Sequence, residues 1–380
     1  MFHVYLLLAY FYLLWRFVLP LPLPRWGRIL VGAALLLASK HHLLTWLAFG
    51  SMFSPEVPSA VIAVAGWAFG GFLFLFLTML LLDMARAALV AARLRAAASA
   101  LGGVRIRCAC AAVVAVLSAV GVAQALQAPG VRQVGLRIAD LPAEMEGFRV
   151  VQLTDLHIGR LFHADWASQV VDRTNALDPD LILVTGDLID GTPEARHADV
   201  APLARLRAAH GVIAIPGNHE YYFDGTAWMR ELQGLGMRML VNQHAVVRVG
   251  NAELVVAGVA DEAALRFGMD GPDLPAALKG APVGAPVILL SHRPGGAREH
   301  AQAGVDVQLS GHTHGGMVRG MDQIVRLANG GYVSGRYDLG GMQLYVSNGT
   351  GLWNGFPLRL GVPAEITELV LTRAPERMQD

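Results

Sequence analysis

The stretch Leu309-Ser310-Gly311-His312-Thr313-His314-Gly315-Gly316 decides how the larger part of this chain reads. It ends an apolar run, residues 305–309, that has the length and composition of a short buried strand. Glycine enters φ > 0 without steric penalty, so Gly311, Gly315 and Gly316 permit a sharp bend. A His-x-His on a glycine-rich turn after a strand is what a metal site requires. A histidine pair on a solvated loop is the plainer alternative for this motif taken alone. The rest of the chain separates the two.

Short β-rich apolar runs recur from about residue 127 onward, at residues 149–153, 181–184, 212–215, 254–257, 287–290, 305–309, 344–346 and 366–371. Stretches with helical spacing lie between them, at 164–176, 197–209 and 226–235. Strands that are apolar throughout, alternating with helices, predict an α/β core whose sheet is covered on both faces.

The first 126 residues read differently. Hydrophobic residues make up 54% of the chain and charged residues 16%, against about 25% charged in ordinary soluble proteins. Four apolar runs, residues 2–19, 29–53, 60–82 and 108–126, predict about four membrane helices. Pro20, Pro22 and Pro24 end the first. Lys40, His41 and His42 interrupt the second and are expected to break it near an interface, with lipid-headgroup contact as the alternative. Residues 85–101, rich in Ala and Arg, predict one basic helix. Cys108 and Cys110 fall inside the fourth run and have no second pair, so they form neither a disulfide framework nor a zinc ribbon.

Arginine distribution predicts orientation. Arg86, Arg93, Arg95, Arg105 and Arg107 lie between runs three and four, and Arg25 and Arg28 between runs one and two. The connection between runs two and three has no basic residue. The positive-inside rule then puts both termini, and the later domain, outside the cytoplasm. The expected organisation is a membrane region at 1–126, a linker at 127–147, an α/β domain at 148–372 and a frayed tail at 373–380. Formal net charge is zero, so no global field points to a nucleic-acid partner.

Five of the predicted strands end in polar clusters of one chemical kind. These are Thr154-Asp155-Leu156-His157, Gly186-Asp187-Leu188-Ile189-Asp190, Pro216-Gly217-Asn218-His219-Glu220, Ser291-His292-Arg293-Pro294 and the turn quoted above. Ligands of α/β sheets bind beyond the carboxyl ends of strands. One rim thus gathers imidazole, carboxylate and amide donors, which suit divalent Zn, Mn or Fe and not thiolate-bound metals. Asp190, Glu220 and Asp261 are candidate supports for the ligands, with a solvated loop the plainer reading of Asp261. His163, His197, His210, His244 and His300 lack such a context and read as structural or surface groups. Trp353, Asn354 and Phe356 fit an apolar entrance, core packing or a membrane-dipping loop equally well.

In order and spacing, Asp-x-His, Gly-Asp, Gly-Asn-His-Glu, Ser-His and Gly-His-Thr-His resemble the calcineurin-like metallophosphoesterases over residues 148–372. The segments at 329–335 and 358–366 are similar to its membrane-associated bacterial branch, from which Met317 departs, since that branch often carries Gln there. The resemblance implies a two-sheet α/β sandwich flanked by helices and two divalent ions (Mn, Zn or Fe). One ion would be held by Asp155, His157, Asp187 and His314, and the other by Asp187, Asn218, His292 and His312, with Asp187 bridging. His219 would face the phosphate and the leaving group. Two such ions clamp the attacking and leaving oxygens of an in-line displacement and acidify water.

The expected protein is thus a multi-pass enzyme of a bacterial inner membrane. It would hydrolyse a phosphodiester or pyrophosphate, with a lipid-linked substrate suggested by the membrane region. A phosphomonoesterase is the alternative within that class. A non-catalytic membrane sensor or scaffold predicts missing ligands, and none is missing. A transporter predicts polar residues through several spans, and only Lys40, His41 and His42 offer any.

Overall fold

The computed structural model describes residues 1–374; most of the expected tail, residues 375–380, lies outside them. The chain falls into two units, residues 1–126 with 354–360, and residues 127–353 with 361–380.

The first unit is helical: α1 (Phe2–Leu13), α2 (Arg25–Phe49), α3 (Ser59–Ala91), α4 (Arg95–Leu101) and α5 (Val104–Ala125). Three of these, α2, α3 and α5, are long and apolar enough to cross a membrane. The fourth expected span is shorter. α1 continues through a π-helical turn to Val18, and its 17 residues rise only about 25 Å against a hydrocarbon core of about 30 Å. Two further expectations are corrected. Lys40, His41 and His42 do not break α2, which runs unbroken through them. Lys40 Nζ donates to His3 O at 2.6 Å, His41 Nδ1 lies 3.0 Å from Ala38 O and His42 Nε2 lies 2.6 Å from Gly355 O, so each side chain of the triplet has a polar contact without the helix opening. The basic stretch is not one helix either. α3 runs on to Ala91, and Arg93 at φ 63° turns the chain before α4.

The segment Asn354–Leu360 packs with these helices. Gly355 O lies 2.6 Å from His42 Nε2, Asn354 Nδ2 donates to Phe53 O at 3.1 Å, and the rings of Phe356 and Phe69 meet edge to face at 5.6 Å. Gly70 makes room for it, since a Cβ there would stand 2.4 Å from Leu358 Cδ1. Of the readings open for this loop, packing is the one observed for Asn354 and Phe356, which are both buried. Both are packed in the helical unit.

The second unit is a sandwich. The first sheet is built from β1 (Gly130–Ile138), β2 (Arg149–Leu153), β3 (Leu181–Val184), β4 (Val212–Ala214) and β5 (Met237–Met239). The second follows with β6 (Gln243–Val249), β7 (Ala252–Gly258), β8 (Val287–Leu290), β9 (Val307–Ser310), β10 (Gly335–Leu339) and β11 (Met342–Val346). β12 (Glu365–Arg373) then returns to the first sheet, giving the orders β1-β12-β2-β3-β4-β5 and β10-β11-β9-β8-β7-β6. β2 to β5 run parallel, as do β7, β8, β9 and β11.

One core joins the sheets: Val150, Leu181, Leu183 and Ile213 of the first pack with Val256, Ile288, Leu290 and Leu309 of the second. On the outer face of the second sheet, Leu289, Leu344 and Val346 are covered by Leu274, Ala277 and Ala297 from α10 (Leu274–Leu278) and α11 (Ala297–Gln302), which follow α6 (Ala164–Asn175), α7 (Pro193–Val200), α8 (Asn218–Tyr222) and α9 (Gly225–Gly234). This two-sided burial explains why the central strands read as continuous apolar runs.

The expected linker at 127–147 contains the nine-residue strand β1, paired in parallel with β12. Arg132, Gln133 and Arg137 on an exposed edge hide its strand character. The helix expected at 197–209 instead spans Pro193–Val200 and tightens into a 3-10 turn at Ala201–Arg205. Pro193 is the reason for the earlier start, being well tolerated at a first helical position.

Candidate metal centre

Every polar cluster singled out in the sequence lies at the carboxyl end of a parallel strand, β2, β3, β4, β8 or β9. The register that aligns these strands brings the clusters together. Asp155, His157 and His314 place ligand atoms within 4.8 Å of one another, and so do Asp187, His292 and His312. The two sets adjoin through Asp187, whose Oδ2 is 3.2 Å from His292 Nε2 and 3.8 Å from His157 Nε2. A third grouping of the same tightness is His157, Asp187 and His219.

The backbone is bent to achieve this. Asp155, His157, Asp187, His312 and His314 all have positive φ, between 48° and 67°. Non-glycine residues adopt that region at a cost, and such costs concentrate at functional sites. The bend expected of the glycine turn is therefore taken partly by the histidines themselves. Gly311 serves otherwise, since a Cβ there would stand 2.2 Å from both Asp155 Oδ2 and Thr154 Oγ1. Its amide neighbour, His312 N–H, donates to Asp155 Oδ2 at 3.0 Å, tying the ends of β2 and β9.

Surrounding groups fix the orientation of each side chain. Thr185 O holds His292 Nδ1 at 2.8 Å, leaving Nε2 towards Asp187. Asp190 Oδ1 lies 3.2 Å from His157 Nδ1 and 2.5 Å from His219 Nδ1. His219 N–H donates to Asp187 Oδ1 at 2.8 Å. Buried Glu220 accepts from the backbone N–H groups of Gly217, Asp187 and Leu188 at 2.7, 3.0 and 2.7 Å, which stitches the β3 rim to the β4 rim. Asn218 turns its Oδ1 to Arg293 Nη2 at 3.2 Å.

Burial opposes charge throughout this cluster, and the groups answer one another. Burial works against the Asp187 carboxylate, yet His292 and His219 hold its pKa well below the usual range. Asp155 is raised, because burial outweighs the help of His292 and His157. Burial pulls His219 down, but Asp187 and Asp190 push it up to about 9. Burial also opposes the charged form of His292, which is nonetheless pushed up to about 10, mainly by Asp187. His312 falls well below its ordinary value through burial and the neighbouring His292.

The donors fit two divalent ions. They are nitrogen and oxygen atoms only, a set that suits borderline metals. His157 Nε2 faces His314 Nε2 at 3.2 Å, and His292 Nε2 faces His312 Nδ1 at 3.2 Å. Two ring nitrogens so close need a proton or a cation between them.

Two residues were missed or misread in the sequence. Asp261, three residues beyond β7, is not a solvated carboxylate; it is 3% exposed and pairs with Arg293. Arg293 touches both Asn218 and His312. The rim rule could have found Asp261, because it follows an apolar strand like the others. The remaining histidines lie elsewhere: His197 pairs with Glu231, His244 with Ala277 O and His300 with Gln308.

Residues 148–316 match the family model described as calcineurin-like phosphoesterase. A "transmembrane protein with metallophosphoesterase domain" from Bos taurus is 36% identical over 275 residues, 69% of this chain and 62% of that protein. The chain therefore spans less than two thirds of that relative's length. The "uncharacterized metallophosphoesterase YkuE" of Bacillus subtilis is 32% identical over 61% of this chain and 81% of its own length. Among solved structures, a 5'-nucleotidase precursor from Thermus thermophilus aligns over 60% of this chain and 55% of its own. It shares 18% sequence identity with this chain at a TM-score of 0.38. The fold and rim define a two-sheet metallophosphoesterase domain that follows apolar helices in the sequence. The chain belongs to the calcineurin-like phosphoesterase family, and its relatives reach from bacteria to cattle.

Proposed function

We propose that this chain is a membrane-anchored phosphoesterase that uses two divalent ions to hydrolyse a phosphodiester or pyrophosphate, with a lipid-linked compound as the substrate class. The observation that carries the reading is the pair of buried donor sets adjoining at Asp187. Asp155, His157, Asp187 and His314 would hold one ion, and Asp187, Asn218, His292 and His312 the other. When bound, two such ions neutralise phosphoryl charge and make water a nucleophile near neutral pH.

The rest falls to the protein. Asp190 takes His219 Nδ1, which directs Nε2 to the Asp187 side, 3.9 Å from Oδ2. In the metal-free protein His219 is pushed up to about 9 by Asp187 and Asp190, which outweigh its burial, and it keeps the Asp190 carboxylate facing it when Asp187 holds metal. From there it donates to the departing oxygen. Thr185 and Glu220 keep His292 and the Asp187 backbone from turning away. A neutral amide at Asn218 adds no negative charge beside an anionic substrate.

The arginine-rich connections support a domain outside the cytoplasm, in a bacterial inner membrane. The test is the purified full-length protein in detergent with Mn²⁺, Zn²⁺ or Fe²⁺, offered an aryl phosphodiester, an aryl phosphomonoester and lipid pyrophosphates. Metal-dependent cleavage of the diester or pyrophosphate is expected. Turnover of the monoester alone would replace this reading with a phosphomonoesterase. Reporter fusions after Gln127 test the topology, where cytoplasmic signal overturns it.

A further inference from the structure

We propose that Arg293 is a substrate-binding residue, a guanidinium that grips the phosphoryl oxygens at the metal centre. The inference rests on the phosphoesterase reading and adds a residue that the metal-ligand motifs do not contain.

Arg293 follows His292 directly, yet its side chain leaves the core. Nε donates to Asp261 Oδ2 at 2.8 Å and Nη2 to Asp261 Oδ1 at 3.3 Å. Asp261 is itself fixed, since its Oδ1 also accepts from Ala263 N–H at 2.8 Å. One edge of the fork is thereby clamped and its plane set, the arrangement in which arginine recognises a tetrahedral anion with little further loss of freedom.

The other edge points into the centre. Nη1 lies 3.1 Å from His312 Nε2, and Nη2 3.2 Å from Asn218 Oδ1. Both partners are read as metal ligands. An amide oxygen committed to a cation is a poor acceptor for a guanidinium. An imidazole bound through Nδ1 carries its proton on Nε2 and is no acceptor at all. Loading the centre therefore turns these arginine donors towards whatever anion lies over it.

Arg293 also has room to serve. Its side chain is 30% exposed although Asp261, which clamps it, is almost fully buried. A purely structural counter-ion for Asp261 would not need the two contacts inside the centre.

The experiment uses full-length protein in detergent, loaded with Mn²⁺, and inorganic phosphate as the probe, titrated by calorimetry. Arg293→Ala is expected to weaken phosphate binding about 10- to 100-fold, as loss of charge-assisted bonds does, with bound manganese unchanged. Arg293→Lys is expected to recover part of that loss, keeping the charge but not the fork. Unchanged phosphate affinity in Arg293→Ala overturns the assignment while leaving the phosphoesterase reading intact. Loss of manganese in both variants also overturns it, since Arg293 would then be holding the ligands in place. Wild-type protein that takes up neither manganese nor phosphate overturns the phosphoesterase reading itself.

Discussion

The two sheets furnish the centre unequally. The rim of the first brings all the carboxylates close to the imidazoles, Asp155, Asp187 and Asp190, with His157, Asn218 and His219. The rim of the second brings His292, His312 and His314, with Arg293 beside them. Opposite chemistry meets across the sandwich, with Asp187 Oδ2 at 3.2 Å from His292 Nε2 and Asp155 Oδ1 at 3.5 Å from His314 Nε2. Neither sheet holds a complete site. A cation in either donor set would bond both layers, so metal binding would add to the shared core that already joins the sheets.

The largest effect expected from breaking this arrangement is at its shared residue. Asp187→Asn should reduce hydrolysis of an aryl phosphodiester to background and lower bound metal, measured by elemental analysis. Unchanged turnover there and in His312→Ala would sink the two-metal reading.

Single removals from the second sheet should separate the two ions. His312→Ala is expected to lose the ion shared with His292, and His314→Ala the one shared with Asp155 and His157. Each should leave one metal per chain where the parent has two.

On the first sheet, His219→Ala should keep both metals and lower turnover about 10²- to 10⁴-fold, the usual worth of a positioned proton donor. The loss should be smaller for nitrophenyl esters, whose leaving group needs no proton. Equal losses for good and poor leaving groups would remove His219 from that role.

Chelation should produce the mildest change. At a metal concentration a hundred times its dissociation constant, binding stabilises by about 2.7 kcal/mol, or about 5–10 °C in the melting of a unit this large. The sign of the pH dependence follows from the raised imidazoles. In the metal-free protein, His219 near 9 and His292 near 10 lie above the ordinary 6.5. Their contribution is full below about pH 6.5 and is lost as pH rises towards about 9–10. Metal competes with those same protons, so its contribution grows over that window. The metal-free melting temperature should fall between about pH 7 and 9.5 while the gain on adding Mn²⁺ increases.

The sandwich was legible because its inner strands are apolar on both faces. Leu181–Val184 and Val287–Leu290 have the same bounds in sequence and structure. β1 was not legible. Its partner β12 lies more than two hundred residues away, and an edge strand with arginines facing solvent has no periodic signal of its own. The rim clusters stood out for the same reason as the strands before them, an abrupt change from apolar to polar. The pairing of Arg293 with Asp261 did not, because it depends on β7 and β8 being neighbours, which only the sheet order provides. In the helical unit, apolar length was visible but the partners of Lys40 and His42 were not, and without them a charged triplet reads as a break.

The Asn354–Leu360 segment bears on how this protein can be handled. A fragment beginning at Gln127 keeps every candidate ligand but strips the helices from Phe356, Pro357 and Leu358. Its seven-residue loop would then present those side chains to water as a sticky tip. A soluble version of the domain calls for a second edit, replacing the loop with a short polar turn, and trimming the N-terminus alone should give aggregates.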